Sequence, residues 1–248
     1  MNDSVRILTL RPLASRRRKK TIGRAAVPVI LAVSLAVLGV GAAPAAHAAP
    51  NESVKALDSD NAITDPAWFV KAYDEGFRLY VMATTTLGTC DPLERTQAQL
   101  RMALDAGLKI AVYTRDPNCW QVGITATGPY QDELQFFALD VEWGGAGVTQ
   151  AMVDGVRSMG VRPVIYSGYA MWPAIVGEST EFSDVPLWDT NAGPVDYSQW
   201  SADYLTPAPV PYGGWNTTTT MRIGIQQSFG SLNGVNVDLN SFDASFLK

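Results

Sequence analysis

Asp140 and Glu142, in the segment FFALDVEW at 136–143, are the residues whose type and spacing point most directly to chemistry. Residues two apart on a β-strand project to the same face, so this spacing sets two carboxyls side by side. Like charges held close resist double ionisation, and the usual outcome is one carboxyl that keeps its proton beside one that stays charged. That division is what a general acid and a charge-stabilising carboxylate require. A D-x-E triplet by itself is more often an ordinary structural pair. Here it leaves an apolar strand and runs into Trp143-Gly144-Gly145, where a buried strand would emerge into a loop beside an indole.

Histidine takes no part in such chemistry, because the one His of the chain, His47, stands in an N-terminal leader. For residues 49–248 this removes Ser-His-Asp and Cys-His systems, histidine bases and His-ligated zinc. Two cysteines are too few for a cysteine zinc site or an iron-sulfur cage. The acids show no ligand-spaced cluster, so neither a metal nor another cofactor is expected. Proton chemistry falls to Asp, Glu, Tyr or Lys.

The elements that would hold these groups alternate along the chain. Short apolar runs at 55–58, 77–84, 108–114, 136–143, 162–167 and 185–190 read as strands, and helical patterns fall between them. Pro66 to Glu75 opens behind Asp65 as N-cap, Pro92 to Ala106 opens behind Asp91 and closes at Gly107, Val148 to Met159 closes at Gly160, and a further helix covers Met171 to Val176. Two last strands, 222–229 and 235–239, are joined by GSLNG with no room for a helix. Strands alternating with helices imply a parallel sheet with crossover connections. The fold class expected is α/β, a modified TIM-like barrel of eight strands with about five helices, the last helices missing. Residues 49–248 would form this single domain. In a parallel barrel the working residues lie at the strand C-termini, a rule that selects Asp58, Asp140, Glu142, Asp189 and Asp238.

Residues 1–48 read as a secretory signal: SRRRKK at 15–20, an apolar run at 25–43, then Ala46-His47-Ala48 before the expected cut. The alternative is an uncleaved membrane anchor, since about 19 apolar residues approach spanning length. Without the leader the chain carries 11 Lys+Arg against 23 Asp+Glu, a formal charge of −12. Such a surface repels phosphate backbones and anionic headgroups, so no nucleic acid and, after signal removal, no membrane partner is expected. Export permits a disulfide. Cys90 and Cys119 each follow a predicted strand and would meet on neighbouring loops; two free thiols are the alternative.

All seven tryptophans lie after the leader. Trp68 and Trp172 fall in predicted helices and read as core. Trp143 and Trp188 stand at strand ends beside the chosen acids, where indoles either stack on sugar rings or pack. Tyr113 and Tyr166, also near strand ends, are placed to hydrogen-bond a carboxylate or an acetamido group, or to serve as buried structural tyrosines.

Seven segments together resemble glycoside hydrolase family 25, the muramidase-type lysozymes: ALDSD at 56–60, FVKAYDEGFRLYVMAT at 69–84, LDAGLKIAVY at 104–113, FFALDVEW at 136–143, GVRPVIYSGYAMW at 160–172, PLWDT at 186–190 and GIQQSFGSLNGVNVDLNSF at 224–242. The resemblance implies Glu142 as proton donor to the glycosidic oxygen and Asp140 as its positioning or stabilising neighbour. It implies Asp58 as the acid ending the first strand and Asp238 as that of the last-strand VDLN motif. It also implies a hydrolase acting on peptidoglycan glycan strands, at the β-1,4 bond after N-acetylmuramic acid; with the leader, a secreted protein is expected, and a monomer. The chain departs from the family at Asn61-Ala62-Ile63, where a QG often stands, in ATTTLGT, which lacks an acid after the second strand, and in DPNCWQVGITATGPYQ at 116–131. These departures motivate a second reading, a wall-binding protein on the same barrel that has lost turnover. A hydrolase of another amino-sugar polymer such as chitin is a third, although the D-x-x-D-x-D-x-E motif is absent at FFALDVEW.

Overall fold

The computed structural model describes residues 52–190, 203–206, 208–216 and 221–248, all within the compact unit His47–Lys248. The expected export signal at 1–48 and Trp200 lie outside the described residues. Eight strands close into one barrel in sequence order: β1 (Ser53–Ser59), β2 (Phe77–Ala83), β3 (Lys109–Thr114), β4 (Leu134–Asp140), β5 (Pro163–Ser167), β6 (Leu187–Asp189), β7 (Arg222–Leu232) and β8 (Val235–Asp243). Neighbours from β1 through β7 pair parallel, whereas β8 is antiparallel to both β7 and β1.

Among the described residues five α-helices accompany the parallel strands: α1 (Pro66–Asp74), α2 (Thr96–Asp105), α3 (Trp120–Thr125), α4 (Gln150–Ser158) and α5 (Trp172–Ile175). β7 and β8 follow each other directly through a two-residue turn at Asn233-Gly234, with φ of 49° and 82°. Positive φ at both positions gives the twist a tight hairpin needs, which Asn-Gly supplies at low cost. The expected eight-stranded barrel with its later helices missing is therefore what the described residues form.

Local chemistry explains most boundaries. Asp65 caps α1, its Oδ1 accepting from the Ala67 amide at 2.9 Å, with Pro66 at the first helical position. Thr149 caps α4. Two boundaries differ from expectation. α2 begins at Thr96 rather than Pro92, and Asp91 is not its cap. Asp91 instead accepts from Thr89 Oγ1 at 2.7 Å, and its carbonyl accepts from the Thr86 amide, closing a small loop after β2. β4 ends at Asp140, so Glu142 stands beyond the strand rather than within it.

Side chains alternate between two apolar layers. One lies between sheet and helices and includes Leu57, Tyr80, Val112, Phe137 and Ile165 with Trp68, Phe69 and Trp172. The other fills the barrel with Ala56, Val81, Ala111, Phe136, Ala138, Val164, Trp188 and Phe242. The core assignment of Trp68 and Trp172 holds: both are buried, and their indole N–H groups reach the Leu232 and Ser179 carbonyls. Following the period of two upward, Ala56 leads to Asp58, Ala111 to Tyr113, Ala138 to Asp140 and Val164 to Tyr166. The top of the barrel filling is thus polar, and that is where the site forms.

Candidate active site

A cavity of about 700 Å³ opens at this end of the barrel, lined by Asp58, Asp60, Asp140, Glu142 and Asp238 together with Arg115, Tyr113, Tyr166, Trp188 and Phe229. All four expected catalytic acids reach it. Asp58 and Asp238 are direct partners across the β1/β8 pairing. Asp140 pairs with Tyr166 across β4 and β5, and Glu142 enters from the turn after β4.

Asp238 arrives there by a different route from the one its sequence position suggests. It is the fourth residue of the nine-residue β8, not a strand C-terminus. It reaches the mouth because β8 runs antiparallel, which brings its N-terminal half to the end where the parallel strands finish. Asp189, selected by the same rule, is fully buried and pairs with Arg222 at 3.3 Å while accepting from Tyr212 Oη at 3.0 Å. It holds β6, β7 and the Tyr212 segment together and does not line the cavity.

Two side-chain amides fix the acids. The Trp188 indole can only donate, and its Nε1 lies 2.8 Å from Asn240 Oδ1. That sets the amide so that Asn240 Nδ2 donates to Asp58 Oδ2 at 2.6 Å. Gln226 repeats the device, accepting from Tyr166 Oη and donating from Nε2 to Asp238 Oδ2 at 2.8 Å. Each amide links an aromatic residue of the barrel interior to a carboxyl of the mouth. Asp140 has no such support: it is 3% exposed and its Oδ1 has no hydrogen-bond partner among the described residues.

Burial and mutual repulsion favour the protonated forms. Burial, then the Asp238 charge, raises the Asp58 carboxyl well above the ordinary range, against the opposing Asn240 bond. Burial and Glu142 raise Asp140 in the same way, with Arg115 opposing. Asp238 is pushed up to about 7 by burial and then by Asp60 and Glu142. Tyr113 and Tyr166 are raised by burial and by the same acids, so both phenols stay neutral. The buried acids of the cavity therefore hold their protons more tightly than free carboxyls do.

Glu142 is the more accessible of the pair, its side chain 23% exposed, and its Oε1 accepts from Arg115 Nε at 2.7 Å. Burial works against the Arg115 charge, but Glu142 outweighs it and the guanidinium's pKa is raised. The backbone builds this pair. The Gly145 amide closes a turn onto the Glu142 carbonyl, and a Cβ at Gly145 would sit 2.4 Å from the Arg115 carbonyl oxygen. Only glycine allows the Glu142 turn to lie this close to the β3 exit. Beyond Arg115 the chain is held by Asp116, which caps a 3-10 turn at Pro117–Cys119, and by a disulfide from Cys119 to Cys90 with Cα atoms 5.1 Å apart. The expected bridge between the loops after β2 and β3 is thus present.

Of the expected sugar-contacting residues, Tyr113, Tyr166 and Trp188 line the cavity, with Trp188 forming its floor at 4.7 Å ring-centroid distance from Tyr166. Trp143 does not line it; it projects 59% exposed from the turn beyond Glu142. Arg115, Asn240 and Gln226 were not selected from sequence. Asn240 is two residues from Asp238 and so shares its face, and Arg115 follows a strand end as the acids do; both signals were readable. Gln226 has an identical neighbour in GIQQ and no such mark. Among the described residues no group of three or more His, Cys, Asp or Glu side chains is arranged to hold a metal ion.

No protein-family model and no curated protein matches the chain. Solved structures do. A muramidase from Acremonium alcalophilum superposes with a TM-score of 0.52 at 20% identity, over 77% of this chain and 95% of that one. A muramidase from Trichobolus zukalii gives 0.51 at 20% identity, over 75% and 92%. The catalytic domain of endolysin ply40 from bacteriophage P40 of Listeria monocytogenes gives 0.51 at 16%, over 79% and 95%. The chain has the barrel fold of these proteins.

Proposed function

We propose that the protein is a secreted peptidoglycan hydrolase, an N-acetylmuramidase of the family 25 kind, acting as a monomer on the β-1,4 bond between N-acetylmuramic acid and N-acetylglucosamine. The observation that carries this reading is the meeting of Asp58, Asp140, Glu142 and Asp238 in one cavity at the mouth of the barrel. The fold shared with two muramidases and an endolysin domain supports it, as do the leader-like segment at 1–48 and the lack of histidine in residues 49–248. Glu142, the more exposed member of the D-x-E pair, delivers a proton to the glycosidic oxygen. Asp140 is its buried neighbour, and Asp58 and Asp238 hold the acetamido-bearing sugar through hydrogen bonds. Tyr113 and Tyr166 bound the sugar site above the Trp188 floor, and Trp143 meets the strand outside it.

Reducing-end release from purified peptidoglycan, comparing the wild type with Glu142→Gln, tests the assignment. Loss of the acid should reduce the rate on the order of 100-fold or more without lowering the melting temperature. Equal rates would remove Glu142 from the mechanism.

One observation favours a second reading. The Arg115 guanidinium already engages Glu142, whose Oε1 accepts from Nε at 2.7 Å, an arrangement that suits a wall-binding protein that has lost turnover. Sedimentation with peptidoglycan without soluble fragments would select that reading.

A further inference from the structure

We propose that Phe229 is a stacking platform for one pyranose ring of the glycan strand, on the side of the mouth away from Glu142. This rests on the cavity being a glycan site, as proposed above, and it adds a residue that grips the strand beyond the acids.

At 66%, Phe229 is the most exposed large apolar side chain among the described residues, and of the exposed ones it alone lines the cavity. Simple strand alternation would not aim it there. Gln226 faces the mouth, where it bonds Tyr166 and Asp238, so a period of two would send Phe229, three residues on, to the opposite face. The pairing of β7 with β8 corrects this. Gln226 stands opposite Asn240 and Ser228 opposite Leu239, which leaves Gln227 as an extra residue. Such a bulge re-aims the side chains beyond it. The Gln227 amide donates to the Asp203 and Thr206 carbonyls at 3.1 Å. Phe229 then falls directly across from Asp238, itself the partner of Asp58. The phenyl shares a row and a face with two acids of the mouth.

The hairpin that carries it is held in place. The Asn236 carbonyl accepts from Ser59 Oγ at 3.1 Å and from Asn61 Nδ2 at 2.9 Å, which ties β8 to the β1 exit. The Leu232 carbonyl accepts from the Trp68 indole of α1 at 2.8 Å. A ring borne on a fixed backbone gives up little freedom when a ligand settles on it.

The surroundings select the ligand class. Asp60, Asn236 and Asp238 line the same cavity, and a wholly apolar partner would strip water from them without replacing its hydrogen bonds. A pyranose suits both kinds of surface. Its C–H face lies against the electron-rich face of the phenyl, while hydroxyls at its edge reach the polar groups. In a closed ring of eight strands taken in order, β8 stands opposite β4. The platform therefore faces Glu142 across the mouth and holds a sugar without entering proton transfer. Pockets of about 300–1,000 Å³ enclose whole drug-sized ligands, so the cavity, at about 700 Å³, has room for a short saccharide.

The test uses a purified tetrasaccharide of alternating N-acetylglucosamine and N-acetylmuramic acid with Phe229 retained or changed to Tyr, Leu or Ala. Affinity is measured with Glu142→Gln added to each protein, so that the ligand stays intact; KM and kcat are measured without it. Phe229→Ala should weaken affinity and raise KM by about fivefold to tenfold, with kcat and melting temperature changed little. Phe229→Tyr should behave as the wild type, whereas Phe229→Leu, apolar but without a π face, should stay weakened. Sugar C–H proton resonances moved upfield in the wild-type complex should lose part of that shift with Phe229→Leu and keep it with Phe229→Tyr. Affinity in Phe229→Ala or Phe229→Leu equal to that with Phe229 overturns the proposal and leaves the hydrolase reading standing. Binding by the wild type without turnover defeats the hydrolase reading instead, and the affinities still decide the role of Phe229. A wild type that neither binds nor cleaves the saccharide overturns both.

Discussion

Asp238 couples the site to pH. Its carboxyl titrates at about 7 in the folded chain against an ordinary value of 3.8. The folded state therefore holds a proton that the unfolded state releases, and the stability this contributes is present in full below about 4 and lost as pH rises through about 7. Asp58 and Asp140 are raised in the same direction and add to the slope. Thermal melting should fall by a few degrees between pH 5 and pH 8, and Asp238→Asn should flatten that fall. A melting temperature that rises over this range would contradict the protonation pattern. At this scale the sequence was only partly legible. The four acids could be picked out because carboxyls near strand ends are conspicuous. Their orientation depends on Asn240 and Gln226, whose amides matter only because Trp188 and Tyr166 stand opposite them on other strands. No linear spacing shows that.

The elements were read more easily than their ends. Asp65-Pro66 starts a helix by a local rule, and the α1 boundary is determined within four residues. Asp91-Pro92 has the same two letters and starts none, because Asp91 is engaged by Thr89 and by the closed loop beside the Cys90 bridge. Tertiary constraint outweighs the cap there. That bridge spans 29 residues, and closing a loop of this size stabilises by roughly 3 to 4 kcal/mol in the loop-entropy model. Replacing both cysteines, Cys90→Ala with Cys119→Ala, should lower the melting temperature by about 10 °C. An unchanged melting temperature would mean that the two loops are held by their other contacts.

For the whole molecule, the alternation of apolar runs and helical patterns was enough to give a barrel, since each strand from β1 to β5 is followed by its own crossover helix. The direction of β8 was not written in its pattern: a strand reads the same either way, and only the two-residue Asn233-Gly234 turn requires reversal. The formal charge of −12 on residues 49–248 opposes long-range approach to an anionic wall. Binding therefore depends on short-range contacts in the cavity, and salt screens the repulsion more than it weakens a partly buried pair. Association with peptidoglycan should strengthen on going from low to physiological salt; binding lost on adding salt would contradict this. The most direct measurement of the central claim is mass analysis of the fragments left when the protein digests purified peptidoglycan. The account predicts saccharides ending in reducing N-acetylmuramic acid, released by the wild type and missing with Glu142→Gln. Fragments ending in reducing N-acetylglucosamine, or the same products from both proteins, would contradict it.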